Sequence, residues 1–135
     1  DHEIKLHLSY CKKWKIPLRT LDNIKVEKAN SAYTNHVLKV GRNGNNLDIF
    51  SCLSPCIIGY GEIGFKLSKI KNWKKSKYSS WIKMYSSNEY QQIAKDNINY
   101  LDILFRNSKN KNLAKLKKNF KKSTILERNF WECFV

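Results

Sequence analysis

The sequence predicts an all-α helical bundle folded as one domain, on three observations. Five Gly and two Pro among 135 residues leave little of the turn punctuation that a many-stranded β protein needs. Apolar residues recur at three- and four-residue spacing over long stretches, the period of one helix face. One segment near the middle is apolar nearly all round, as befits a helix at the centre of a bundle. A chain of this length buries roughly two-thirds of its surface on folding, which suits one domain rather than two.

The opening segment Asp1–Ile16 carries Ile4, Leu8, Cys11 and Trp14 or Ile16 at helical spacing, and Pro17 stops it. A second helix fits Lys25 to Val40, with Val26, Ala29, Ala32 or Tyr33, His36 or Val37, and Val40 on one stripe; Gly41 and the run Arg42-Asn43-Gly44-Asn45 end it as a loop. The third helix starts near Asn46 and runs to about Ile70, and it is the one apolar on every side. Pro55 inside it predicts a kink or a freed carbonyl. Gly59, Gly61 and Gly64 are costly in a helix, which points to close backbone packing or room for a ligand.

Lys66–Lys77 reads as a basic connector, followed by a short helix around Tyr78–Tyr85. Ser86-x-x-Glu89 reads as a capping box that opens the next helix, which runs through Phe105. Asn107–Asn112 form a polar turn, and the last helix runs from about Leu113 to the end. Its stripe is Leu113, Leu116, Phe120, Thr124, Glu127, Phe130 or Trp131, and Phe134, in which Glu127 is the one acidic residue.

Composition narrows the function. Aromatic residues make up 13% of the chain, far above what a disordered segment carries. No apolar run approaches the roughly 18 residues of a membrane span, and no signal-peptide pattern opens the chain, so a cytoplasmic protein without a membrane partner is expected. The net charge of +15 comes from 22 Lys and only 4 Arg, beside 15 Asn. Base and phosphate recognition favours the planar Arg fork, whereas a Lys and Asn excess reads more simply as solvated faces. No nucleic-acid partner is expected; the competing reading is a basic module built on Lys109–Lys122.

Cys11, Cys52, Cys56 and Cys133 include no Cys-x-x-Cys pair, and His2, His7 and His36 are not spaced with them as zinc ligands are. The expectation is reduced thiols, no metal and no cofactor.

Two residues stand out. Glu127 on an apolar stripe is either a structural tether, capping a neighbouring helix or pairing with a Lys, or a general acid or base in a pocket. Cys56 is either a small core hydrophobe or a nucleophile, with Pro55 disturbing its helix, Gly59 and Gly61 clearing space and Tyr60 one turn on. Together with Tyr33 and Tyr85, these residues suit a planar, nitrogen-rich heterocycle.

The segment Ser54-Pro-Cys-Ile-Ile-Gly-Tyr-Gly-Glu-Ile-Gly64 resembles the central helix of the TenA family, the thiaminase II proteins. Three further segments agree in order: Ala32-Tyr33-Thr34, Tyr78-Ser-Ser-Trp-Ile-Lys-Met-Tyr85, and Leu126-Glu127-Arg-Asn-Phe130-Trp131. The resemblance spans essentially the whole chain. It implies a haem-oxygenase-like helical bundle without haem. It also implies hydrolysis of 4-amino-5-aminomethyl-2-methylpyrimidine to the hydroxymethyl pyrimidine plus ammonia, in thiamine salvage, with thiamine cleavage in some members.

By the same resemblance Cys56 is the nucleophile and Glu127 the proton carrier. Tyr60 hydrogen-bonds near Cys56, and Tyr33, Tyr85 and Phe130 help hold the pyrimidine. A homo-oligomer, a tetramer of paired bundles, is the family's usual assembly. The family's first third, with an aspartate and an aromatic that hold the pyrimidine, has no counterpart here, and neither Asp1 nor Asp22 replaces that aspartate. Either the protein is longer and this chain is a piece of it, or the pocket has lost a wall; the alternative function is a non-catalytic remnant of the same fold that binds a pyrimidine or only oligomerises.

Overall fold

The computed structural model describes residues 2–109 and 111–133, and among them every regular element is helical. Helix α1 covers His2–Lys13. It ends in a Schellman turn: Lys15 takes a left-handed φ of 56°, its N–H donates to the Lys12 carbonyl at 3.2 Å, and the Ile16 N–H donates to the Cys11 carbonyl at 2.8 Å. Beyond Pro17 the chain makes a 3-10 segment over Leu18–Asn23, which the apolar periodicity does not predict.

Helix α2 spans Lys28–Asn43 and α3 spans Asn46–Leu67. Gly41, expected to end α2, lies inside it, and its missing side chain makes room for Ile49 of α3, whose Cδ1 is 3.0 Å from where a Cβ would stand. The start of α3 is fixed by a capping box. Asn45 Oδ1 accepts from the Asp48 N–H and Asp48 Oδ2 accepts from the Asn45 N–H, both at 3.0 Å. Lys115 Nζ adds a 2.8 Å ion pair to the same Asp48 oxygen. Pro55 is accommodated inside the helix, which continues for three turns beyond it.

After a 3-10 turn at Trp73–Lys75 come α4 (Ser79–Tyr85), α5 (Asn88–Asn107) and α6 (Leu113–Glu132). The cap of α5 is Ser87, one residue later than predicted, and its hydroxyl accepts from the Tyr90 N–H at 3.2 Å; Ser86 instead closes α4. Asn112 caps α6 through its side-chain oxygen, 3.0 Å from the Lys115 nitrogen.

Helix α3 is the hub, packing against α2, α4, α5 and α6, while α2 also packs on α6. This is the place predicted for the helix with apolar residues all round. On α6 the buried face is Leu116, Ser123 and Glu127; Thr124, placed on the stripe by spacing, is exposed, and Phe134 lies outside the described residues. Helix α1 is tethered by Tyr10, whose hydroxyl lies 2.7 Å from Ser80 Oγ and accepts the Trp81 N–H at 3.1 Å.

The chain exposes 10315 Å² of surface. A folded monomer of 16.0 kDa exposes about 7,400 Å² by the usual size scaling. The excess shows in outward apolar residues such as Ile93, Tyr100 and Ile103 along α5 and Ile63 and Phe65 on α3.

Candidate active site

Three helices bring four polar side chains together. On α3, Cys56 and Tyr60 stand four residues apart and so share a face. Tyr33 comes from α2 and Glu127 from α6. Both phenols are hydrogen-bonding neighbours of the Glu127 carboxylate, and the charge of Cys56 is felt at both.

The electrostatics follow from burial. Desolvation is the largest influence on Tyr33 and Tyr60, followed by the charge of Glu127 and then that of Cys56, and all three push the phenol pKa values far up. Both tyrosines therefore remain O–H donors at any physiological pH, beside the Glu127 carboxylate. Glu127 is only 9% exposed, and its Oε2 is buried without a hydrogen-bond partner. A buried carboxylate oxygen left without a donor is costly in a purely structural role, and it is the arrangement expected where a ligand N–H completes the set.

Tyr60 also belongs to an aromatic cluster. Its ring meets Tyr85 edge-on at 5.1 Å, Trp81 at 5.7 Å and Trp131 at 5.6 Å between centroids. Tyr85 is 1% exposed and meets Tyr90 edge-on as well as Tyr60. Phe130 is half-buried, one turn beyond Glu127 on α6.

The glycines of α3 divide by role. A Cβ on Gly64 would stand 2.5 Å from Tyr85 Cβ, and one on Gly61 would stand 3.3 Å from Ala94 Cβ, so both permit close helix packing. Gln91 locks this junction by donating to the Gly61 and Tyr85 carbonyls, both at 2.8 Å. Gly59, three residues after Cys56, faces open space.

Sequence reasoning passed over Ser123. It is fully buried and lies 3.1 Å from the sulfur of the equally buried Cys52. Burial pushes the Cys52 thiol up, with the Ser123 hydrogen bond opposing, so Cys52 is a packing residue and Cys56 the more accessible thiol. Trp81 and Trp131 stand within the recognised segments but were assigned no role there; their convergence on Tyr60 is a tertiary fact.

Among the described residues no group of three or more His, Cys, Asp or Glu is placed to hold a metal ion, and no helix is long and apolar enough to cross a membrane.

The model of the TENA/THI-4/PQQC family matches residues 1–134. The aminopyrimidine aminohydrolase of Halalkalibacterium halodurans is 34% identical over 131 residues, covering 96% of this chain and 58% of that protein. The aminopyrimidine aminohydrolase of Helicobacter pylori is 32% identical over 133 residues, covering 98% of this chain and 61% of that protein. A crystal structure described as a TenA family transcription regulator, from Silicibacter sp. TM1040, superposes with a TM-score of 0.87 at 32% identity, covering 97% of this chain and 60% of that one. The chain thus spans about three-fifths of the length of the relatives it matches.

Proposed function

The chain belongs to the TENA/THI-4/PQQC family, and from that premise we propose that it hydrolyses an aminopyrimidine in thiamine salvage, with Cys56 as nucleophile and Glu127 as proton carrier. The observation that supports this most is the Glu127 carboxylate, held among Tyr33, Tyr60 and Cys56 with one buried oxygen still without a partner.

In this reading the substrate is 4-amino-5-aminomethyl-2-methylpyrimidine. The Cys56 sulfur adds to the electron-poor ring, and a proton delivered by Glu127 lets the side-chain amine leave as ammonia. Water then adds at the exocyclic carbon, Glu127 recovers a proton, and the sulfur is expelled with the ring restored. One water is consumed and one ammonia released per turnover. Tyr33 and Tyr60 hold the carboxylate in place, and Tyr85 packs edge-on against Tyr60. Phe130 supplies an apolar wall for the pyrimidine.

The excess accessible surface and the outward apolar stripe of α5 favour a homo-oligomer in which these faces are covered. The same excess bears on the domain reading, in which the chain is a single helical domain corresponding to the later helices of its family.

The test is ammonia release from the aminomethyl pyrimidine, with Cys56→Ala as control. Release that falls by at least about a hundredfold in the variant supports the assignment. Turnover within about threefold of wild type would overturn the nucleophile, and binding of the hydroxymethyl pyrimidine without turnover would favour the non-catalytic reading.

A further inference from the structure

A second site lies away from Cys56 and Glu127, in a cleft of about 420 Å³ between the C-terminal half of α2 and the N-terminal half of α6. Four lysines line it: Lys39 from α2 and Lys115, Lys118 and Lys122 from α6. The three on α6 follow at intervals of three and four residues, so they stand in a row about 10 Å long on one face. Lys115 is engaged by Asp48 at 2.8 Å, which leaves three ammonium groups free of any described ion pair. No Asp or Glu lines the cleft.

Two further observations favour an anion here. Asn119 Nδ2, from a residue lining the cleft, is buried without a hydrogen-bond partner. An orphaned amide N–H₂ group is a donor that an oxyanion satisfies. The first turn of α6 contains no acidic residue and carries Lys115 at its positive end, where an anion is favoured.

We propose that this α2–α6 cleft binds a compact oxyanion of the diphosphate class. The row of lysines is longer than a single phosphate, and the volume falls in the range of small-ligand sites, roughly 300–1,000 Å³. Lys39, Lys118 and Lys122 neutralise the charge, and Asn119 supplies the directional hydrogen bond that a solvated lysine face lacks.

The test is calorimetry with inorganic pyrophosphate on the whole chain. Saturable one-to-one binding is expected, weakened at least about tenfold both by the pair Lys118→Ala and Lys122→Ala and, separately, by Asn119→Leu. The control pair Lys74→Ala and Lys75→Ala removes the same charge from the distant Trp73–Lys75 turn and is expected to change the affinity less than about twofold. Absent binding, equal weakening in the control, or indifference to Asn119→Leu would each overturn the proposal. So would tight binding of a DNA duplex with none of pyrophosphate, which would make the cleft part of a nucleic-acid surface.

Discussion

Glu127 of α6 and Tyr60 of α3 meet as buried carboxylate and phenol, and Tyr60 is itself wedged edge-on against Tyr85 and Trp131. The aromatic cluster thus sets the position of the phenol, and the phenol sets that of the carboxylate. Since Glu127 Oε2 has no partner in the protein, Glu127→Gln keeps an acceptor beside the tyrosines but removes the group proposed to carry the proton. Aminopyrimidine turnover is expected to fall by about a hundredfold or more, while stability in urea changes by less than about 1.5 kcal/mol.

Tyr33→Phe and Tyr60→Phe each delete one donor facing that carboxylate. Each is expected to lower kcat by about tenfold, and the double variant by less than the product of the two, because both act through one group. Strict multiplicativity in the measured kcat values would show that the phenols act independently of Glu127.

Gly64→Ala and Gly59→Ala separate packing from open space on the same helix. The first puts a Cβ 2.5 Å from Tyr85 Cβ and 2.8 Å from its backbone carbon, and is expected to cost about 1–3 kcal/mol. The second meets nothing within 4 Å and is expected to stabilise by about 0.5–1 kcal/mol through helix propensity. Urea midpoints of the two proteins check both signs.

The Cys52 and Ser123 pair tests a buried contact between α3 and α6. Ser123→Ala removes the sulfur's partner and is expected to cost about 0.5–1.5 kcal/mol, whereas Ser123→Leu overpacks a fully buried position and costs more. Thermal melts of the two variants give the order.

Asp48 predicts the acid limb of stability. Burial alone raises its pKa, but the Lys115 ammonium and the Asn45 N–H outweigh burial and hold it below the usual carboxylate range. A carboxyl lowered on folding stabilises the protein fully above the unfolded pKa of about 3.9, and that contribution is lost as the pH falls below it. Urea unfolding at neutral pH and at about pH 3 is expected to show this loss, and Asp48→Asn is expected to reduce it.

The helices were largely legible in the sequence because each carries its own period, and the centrality of α3 followed from its lack of a polar face. The misplacements are local. Ser86 and Ser87 are both competent caps, and only the path of the chain out of α4 selects Ser87. Ser123 and Thr124 both satisfy helical spacing from Phe120 or Leu116, so periodicity cannot choose between them; the packing of α6 on α3 turns Ser123 inward. Gly41 reads as a stop, yet the approach of Ile49 makes it an interior residue.

Of the site, Cys56, Tyr60 and Glu127 were visible as an odd thiol, its neighbour one turn on, and an acid on an apolar stripe. By itself the sequence determined an all-α chain, its basic character and these candidate residues, since composition and period are properties of the chain alone. The tertiary structure alone decided that Tyr33 and Tyr60 face the same carboxylate, that one oxygen of Glu127 is left without a donor, and that Asn119 and the lysines of α2 and α6 share a cleft. Such facts depend on which faces of separate helices meet, and that is set by side-chain packing between segments distant in sequence.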